Sequence, residues 1–164
     1  VDLPGGPENV VAVAAALDGH RIAYIADGQL YVAGLTVSDR AIKVHSGRQL
    51  NARLNSLTAV EWVGENRLVV AGVADDNQVA LHDVGIDGAL IWPRASERGT
   101  AEITHLAAYP ENPIGRAGER VMYEVNGVAW DAFTGERLEV DDLETLPDES
   151  RGASGSPTAP FFVY

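Results

Sequence analysis

Short runs of apolar and β-branched residues alternate with Asp-Gly and Asn-Gly pairs along most of the chain. These pairs tolerate the positive φ angles of a two-residue hairpin, so each pair between two apolar runs predicts two antiparallel strands. The pattern occurs three times, and each copy ends in a turn and a shorter fourth run. The predicted strands are 10–16, 21–25, 29–33 and 41–44, then 57–63, 67–71, 78–82 and 89–92, then 103–109, 120–124, 128–132 and 137–140.

An arginine begins the second strand of every copy: Arg21, Arg67 and Arg120. The first two lie 46 residues apart and the last two 53 apart, with the excess in the loop 110–118. A period near 45 residues with four strands per copy is typical of a β-propeller blade. A sandwich with coincidental spacing is the alternative, but arginine, turns and strands recur together. We predict an all-β fold of about three antiparallel four-stranded blades, a partial β-propeller without helices.

The blades are predicted at 10–50, 57–95 and 103–140, after an entering loop at 1–9. Residues 141–164 read as an acidic, then Gly/Ser/Pro-rich linker that ends in an apolar tail. Propellers typically use about 4–8 blades, and three would leave apolar blade faces uncovered. Position 1 is Val, so we expect the natural protein to carry further blades upstream.

The net charge is −12 and the pI about 4.6, which argues against nucleic-acid binding, since phosphate contacts need clustered Lys and Arg. No apolar run approaches the ~20 residues of a membrane helix. The chain has no Cys, so disulfides, thiolate metal sites and Cys nucleophiles are excluded. The four histidines lack metal-ligand spacing, and His82 beside Asp83 is interpreted as a surface pair. We expect no cofactor, no metal site and no catalytic residue.

Aromatic side chains are the remaining candidates for function, because Trp and Tyr are enriched at interaction hot spots. For the three tryptophans, packing between blades is the alternative interpretation. The tail is apolar and follows a polar linker, so we expect it to pack on the blades or on a neighbouring molecule. The predicted interaction surface comprises Trp62, Trp92, Trp130, Phe161, Phe162 and Tyr164.

Several segments resemble one family of bacterial lipoproteins. Residues 16–23 (ALDGHRIA) resemble the Ser-Pro-Asp-Gly turn motif of lipoprotein propellers, with Ala16 and Leu17 in place of Ser and Pro. Residues 28–33 (GQLYVA) are similar to a run of the actinobacterial LpqB family. The same holds for 60–62 (VEW) with 67–70 (RLVV), and for 157–162 (PTAPFF). The third copy departs most, through its longer loop.

The resemblance implies a place for the chain within a larger protein. It implies the C-terminal part of a propeller, an upstream GerMN domain and a lipid-anchored N-terminus outside the cytoplasmic membrane. Members are accessory to the MtrA–MtrB two-component system and touch the extracellular part of the sensor kinase. The resemblance brings no catalytic motif.

The leading hypothesis is therefore a non-catalytic module that binds a protein partner in cell-envelope homeostasis. One alternative is an enzyme with a site in the propeller channel, for which Glu61, Arg120 and Asp131 would have to converge within hydrogen-bond reach. The other is a propeller that binds glycan or peptidoglycan through its tryptophans.

Overall fold

Four antiparallel strands and a short fifth build the first blade. The computed structural model describes residues 9–38, 41–95, 103, 105–109 and 120–139, without the side chains of 90–95. The strands pair in the order β1-β2-β3-β4, and β5 also pairs with β3. Asp27 and Gly28 close the β2–β3 hairpin with φ angles of 50° and 74°, which fits the predicted turn type. The strand bounds are β1 Val10–Ala15, β2 Arg21–Ala26, β3 Gln29–Ser38, β4 Ala41–Val44 and β5 Arg48–Leu50.

The outer strand of blade 1 is interrupted, which the sequence pattern does not predict. β4 pairs with the end of β3 and β5 with its beginning. Between them, Gly47 approaches Tyr24 so closely that a Cβ at position 47 would lie 2.5 Å from the Tyr24 hydroxyl oxygen. A larger residue at this position would displace the tyrosine.

Blade 2 is the most regular of the three, with four strands in chain order. Its inner strand carries a register shift between Asn55 and Ala59, the β7–β8 ladder is continuous, and a second shift lies between Asp83 and Val84 where β8 pairs with β9. The third strand is buried along its whole length, because both faces of this sheet are covered by neighbouring blades. The bounds are β6 Asn55–Val63, β7 Arg67–Val73, β8 Val79–Gly85 and β9 Leu90–Ala95.

Within the described part of blade 3 there are three strands: β10 Leu106–Tyr109, β11 Arg120–Val125 and β12 Val128–Asp131. Its second hairpin turns through Asn126 and Gly127, at φ angles of 53° and 75°. In the predicted fourth strand, Arg137 forms one bridge with Trp130, and the Leu138 N–H donates to the Ala129 carbonyl. Val140 lies outside the described residues.

The inner strand of blade 2 holds the three blades together. β6 packs against β1 and β2 on one side and against β10 and β11 on the other. Its residues alternate accordingly between the blade 1–2 interface and the blade 2–3 interface. The blade 1–2 interface includes Ala14, Ile25, Leu30, Val60, Trp62, Val70 and Val84, and the blade 2–3 interface includes Ala59, Val63, Val69, Leu81, Leu106, Val121 and Tyr123.

The predicted fold class is confirmed. The described residues contain twelve strands and no helix, and all strand pairs are antiparallel. The recurring hairpins, each with a residue at positive φ such as Asp27, Asn77 or Asn126, and the aligned arginines therefore reflect real repeats, arranged as a partial β-propeller.

Candidate interaction site

Trp62 lies in the core and is not part of an interaction surface, which corrects the sequence-based prediction. It is 1% exposed in the blade 1–2 interface. Its indole N–H donates to the Ala14 carbonyl on β1 at 3.1 Å. The Arg21 guanidinium lies 5.1 Å from its ring centroid. The packing alternative is the right one for this residue, because the inner strand of blade 2 faces blade 1.

The other aromatic candidates divide into two groups. Trp130 is half-buried on β12 and packs against the blade 2–3 interface. Trp92 lies on β9, but its side chain is outside the described part of the chain. Phe161, Phe162 and Tyr164 lie wholly outside it, so their role stays a prediction.

Glu61 is a buried carboxyl on the opposite face of β6 from Trp62. It is 3% exposed, and it lies between Ala59 and Val63 on the side of the blade 2–3 interface. Its Oε1 accepts the Trp62 backbone N–H at 2.8 Å, while Oε2 has no hydrogen-bond partner in the described structure. Burial raises the pKa of Glu61 to about 8, although the Trp62 N–H acts in the opposite direction.

Asp131 is the centre of a hydrogen-bonded group in blade 3. Its Oδ2 accepts the Tyr109 hydroxyl and Arg120 Nη1, the latter at 2.9 Å. Its Oδ1 accepts the backbone N–H groups of Phe133 and Thr134 at 2.5 and 2.6 Å. Burial alone would raise the pKa of Asp131, but the hydrogen bonds lower it below its ordinary value. Burial and the bond to Asp131 raise the pKa of Tyr109 above its usual range.

The three residues of the enzyme alternative do not all converge. Arg120 and Asp131 form an ion pair. However, Asp131 is paired with Met122, which points away from the interface that Val121 and Tyr123 enter. Glu61 faces that interface from blade 2. The sheet of blade 3 therefore separates the Glu61 carboxyl from the Asp131 group.

A second Arg–Asp pair, in blade 2, repeats the one in blade 3. Arg67 Nε donates to Asp83 Oδ1 at 3.1 Å, and Asp83 is 0% exposed. In the ladder, Arg67 is diagonal to Asp83, as Arg120 is to Asp131. Sequence reasoning missed Asp83 as a partner, although the recurring arginine was a usable signal. The Arg67 guanidinium also lies 5.7 Å from the ring centroid of Phe133 in blade 3.

The interpretation of His82 and Asp83 as a surface pair is wrong. Both are buried and point to opposite faces of β8. The His82 ring Nδ1 lies 2.7 Å from the Ala52 carbonyl oxygen, so it anchors the connection between blades 1 and 2. Among the described residues, no His, Asp and Glu side chains gather in a way that could hold a metal ion.

Several exposed carboxylates lie in the turns at the two ends of the blades. Asp27, Asp75 and Asp76 are exposed in the turns between second and third strands. The turns between first and second strands and between third and fourth strands lie at the opposite end of the blades. In blade 2 these turns expose Glu65 and Asp87. These turns place carboxylates where a partner can reach them.

Family comparison agrees with this architecture. Residues 1–139 match the family model described as the lipoprotein LpqB beta-propeller domain. No curated protein matches the chain as a relative. The described residues include no helix of the length and hydropathy needed to cross a membrane. With 139 of 164 residues matched, and with three propeller blades observed, the chain belongs to the LpqB β-propeller family.

Proposed function

We propose that this chain is a non-catalytic protein-binding module within an extracytoplasmic lipoprotein that is anchored to the cell membrane upstream. One observation carries the proposal. The buried carboxylates Asp83 and Asp131 are each neutralised by an arginine of the same blade, so they stabilise the fold. Exposed carboxylates such as Asp75, Asp76, Glu65 and Asp87 lie in the turns, at positions suited to contact with another protein.

The partner that we propose is the extracellular part of a sensor kinase of the MtrA–MtrB type. Support for this partner comes from the family. The net charge of the chain in addition requires that the contacting surface of the partner be basic. A chain with a net charge of −12 fits a basic partner surface. Binding of such a partner weakens as ionic strength rises, because salt screens the exposed charges.

Glycan binding through the tryptophans is less well supported than protein binding. Stacking on a sugar requires an accessible ring, and the Trp62 ring is enclosed between two blades.

Calorimetry with the purified extracellular part of the sensor kinase tests the proposal. We expect binding that weakens between 50 and 300 mM salt by about tenfold or more, as several charge contacts imply. One variant reverses the charges of Asp75 and Asp76, and a second reverses those of Glu65 and Asp87. The variant that loses affinity identifies the end of the blades that binds. Absence of binding by the folded protein would refute this partner.

A further inference from the structure

Glu61 occupies a position that neither the fold nor the proposed function explains. In blade 2, Glu61, Val69 and Asp83 form one row across three neighbouring strands on the side of the blade 2–3 interface. Strands are spaced by roughly 4.8 Å, so the two carboxyl-bearing residues are about 10 Å apart. Asp83 has a cationic partner, whereas Oε2 of Glu61 has none in the described structure.

Among the described residues, the charged groups around this row leave Glu61 without a counterion. Arg67 on β7 is diagonal to both carboxyl residues, but its guanidinium is paired with Asp83. From blade 3, Tyr123 on β11 enters the interface, and His105 lies just before β10. Arg21 on β2, with Asp18, lies across the sheet against Trp62. β1 and the interface-facing residues of β10 contribute no charge.

We propose that protonation of Glu61 controls how tightly blade 3 packs against blade 2. While blade 3 is packed, the carboxyl is enclosed and the neutral form is favoured, since an unpaired buried charge is costly. When blade 3 separates, water hydrates the carboxylate. Ionisation therefore favours separation, and blade 3 is held most firmly in acid.

The direction and range of the effect follow from linkage. Burial raises the pKa of Glu61 from 4.5 to about 8 in the packed state. A carboxyl with a raised pKa contributes stability that is fully present below pH 4.5 and is lost as the pH rises towards 8. Across this window the equilibrium constant for separating the blades rises about tenfold per pH unit, and above it the constant levels off.

Hydrogen exchange on the full chain tests the proposal without any binding partner. Protection factors, corrected for the intrinsic pH dependence of exchange, are measured between pH 5 and 8.5. We expect protection of β10, β11 and β12 to fall about tenfold per pH unit up to pH 8. Protection of β2 and β3 in blade 1 should change far less.

Two matched variants and one direct titration decide the outcome. Glu61→Gln keeps the acceptor for the Trp62 N–H and should remove the pH dependence of blade 3. Glu65→Gln, which changes an exposed carboxyl in the next turn, should leave it intact. An NMR titration of the Glu61 carboxyl should give a midpoint near 8. A midpoint near 4.5, or the same pH dependence in Glu61→Gln, would overturn the proposal.

Discussion

The indole N–H of Trp62 donates to the backbone carbonyl of Ala14 at 3.1 Å and so joins the inner strands of blades 1 and 2. The Arg21 guanidinium lies over the ring of the same residue. The backbone N–H of Trp62 donates to the carboxyl of Glu61, whose side chain is on the other face of β6. Trp62 therefore links the two blade interfaces.

Replacement of Trp62 by Phe should lower the free energy of unfolding by about 2–4 kcal/mol. The change leaves the Ala14 carbonyl without its donor and removes buried ring volume. Urea unfolding measures the loss. The same replacement at the half-buried Trp130 serves as the control and should cost less. An equal or larger loss at Trp130 would contradict this account of the interface.

The Arg67–Asp83 pair should show strong coupling in a double-mutant cycle. Arg67→Met leaves the fully buried Asp83 carboxylate unpaired, which should cost about 3–5 kcal/mol. The double variant Arg67→Met with Asp83→Leu should recover a large part of that loss, because no buried charge remains. If the double variant were as unstable as Arg67→Met alone, the pair would not be the cause.

Asp131 should make the protein more stable at neutral pH than in acid. Its pKa is held below the ordinary value of 3.8, so its contribution is present above pH 3.8 and is lost as the pH falls through the native-state pKa. Asp131→Asn should cost about 2 kcal/mol or more at pH 7. It should also flatten the acid limb of the stability curve. Glu124→Gln, an exposed control in the same blade, should retain that limb.

Removal of divalent metals should leave thermal stability unchanged. The described residues contain no group of side chains suited to a metal ion, and the sequence has no thiol ligand. Melting is measured with and without EDTA at constant ionic strength. A fall of several degrees in the presence of EDTA would point to a metal site.

Deletion of residues 160–164 should lower the melting temperature or change the association state. Burying one Phe contributes roughly 1.5–3 kcal/mol, which can exceed the ordering cost of about 1–2 kcal/mol for each residue. A matched control replaces Phe161, Phe162 and Tyr164 by Ser at constant length and should behave like the deletion. Unchanged melting and an unchanged oligomer distribution would show that the tail is passive.

From the amino-acid sequence alone, the hairpins, the repeat and most of the strands could be predicted. Each hairpin depends on a local turn such as Asp27-Gly28, whose positive φ angles follow from residue type. The recurring arginines indicated the blade period, because each of them begins the second strand of its copy. The break between β4 and β5 was not predictable, because it depends on the approach of Tyr24 to Gly47.

Only the tertiary structure decided which side chains are enclosed and which charges are paired. The inner strand β6 is covered on both faces, so its sequence lacks the alternation that would assign Glu61 and Trp62 to a side. The partners of Asp83 and Asp131 lie 16 and 11 residues away along the chain. Their pairing follows from strand register, which places Arg67 and Arg120 diagonal to the carboxylates. Arg67 is diagonal to Glu61 as well, but its guanidinium pairs with Asp83, which leaves Glu61 without a cation among the described residues.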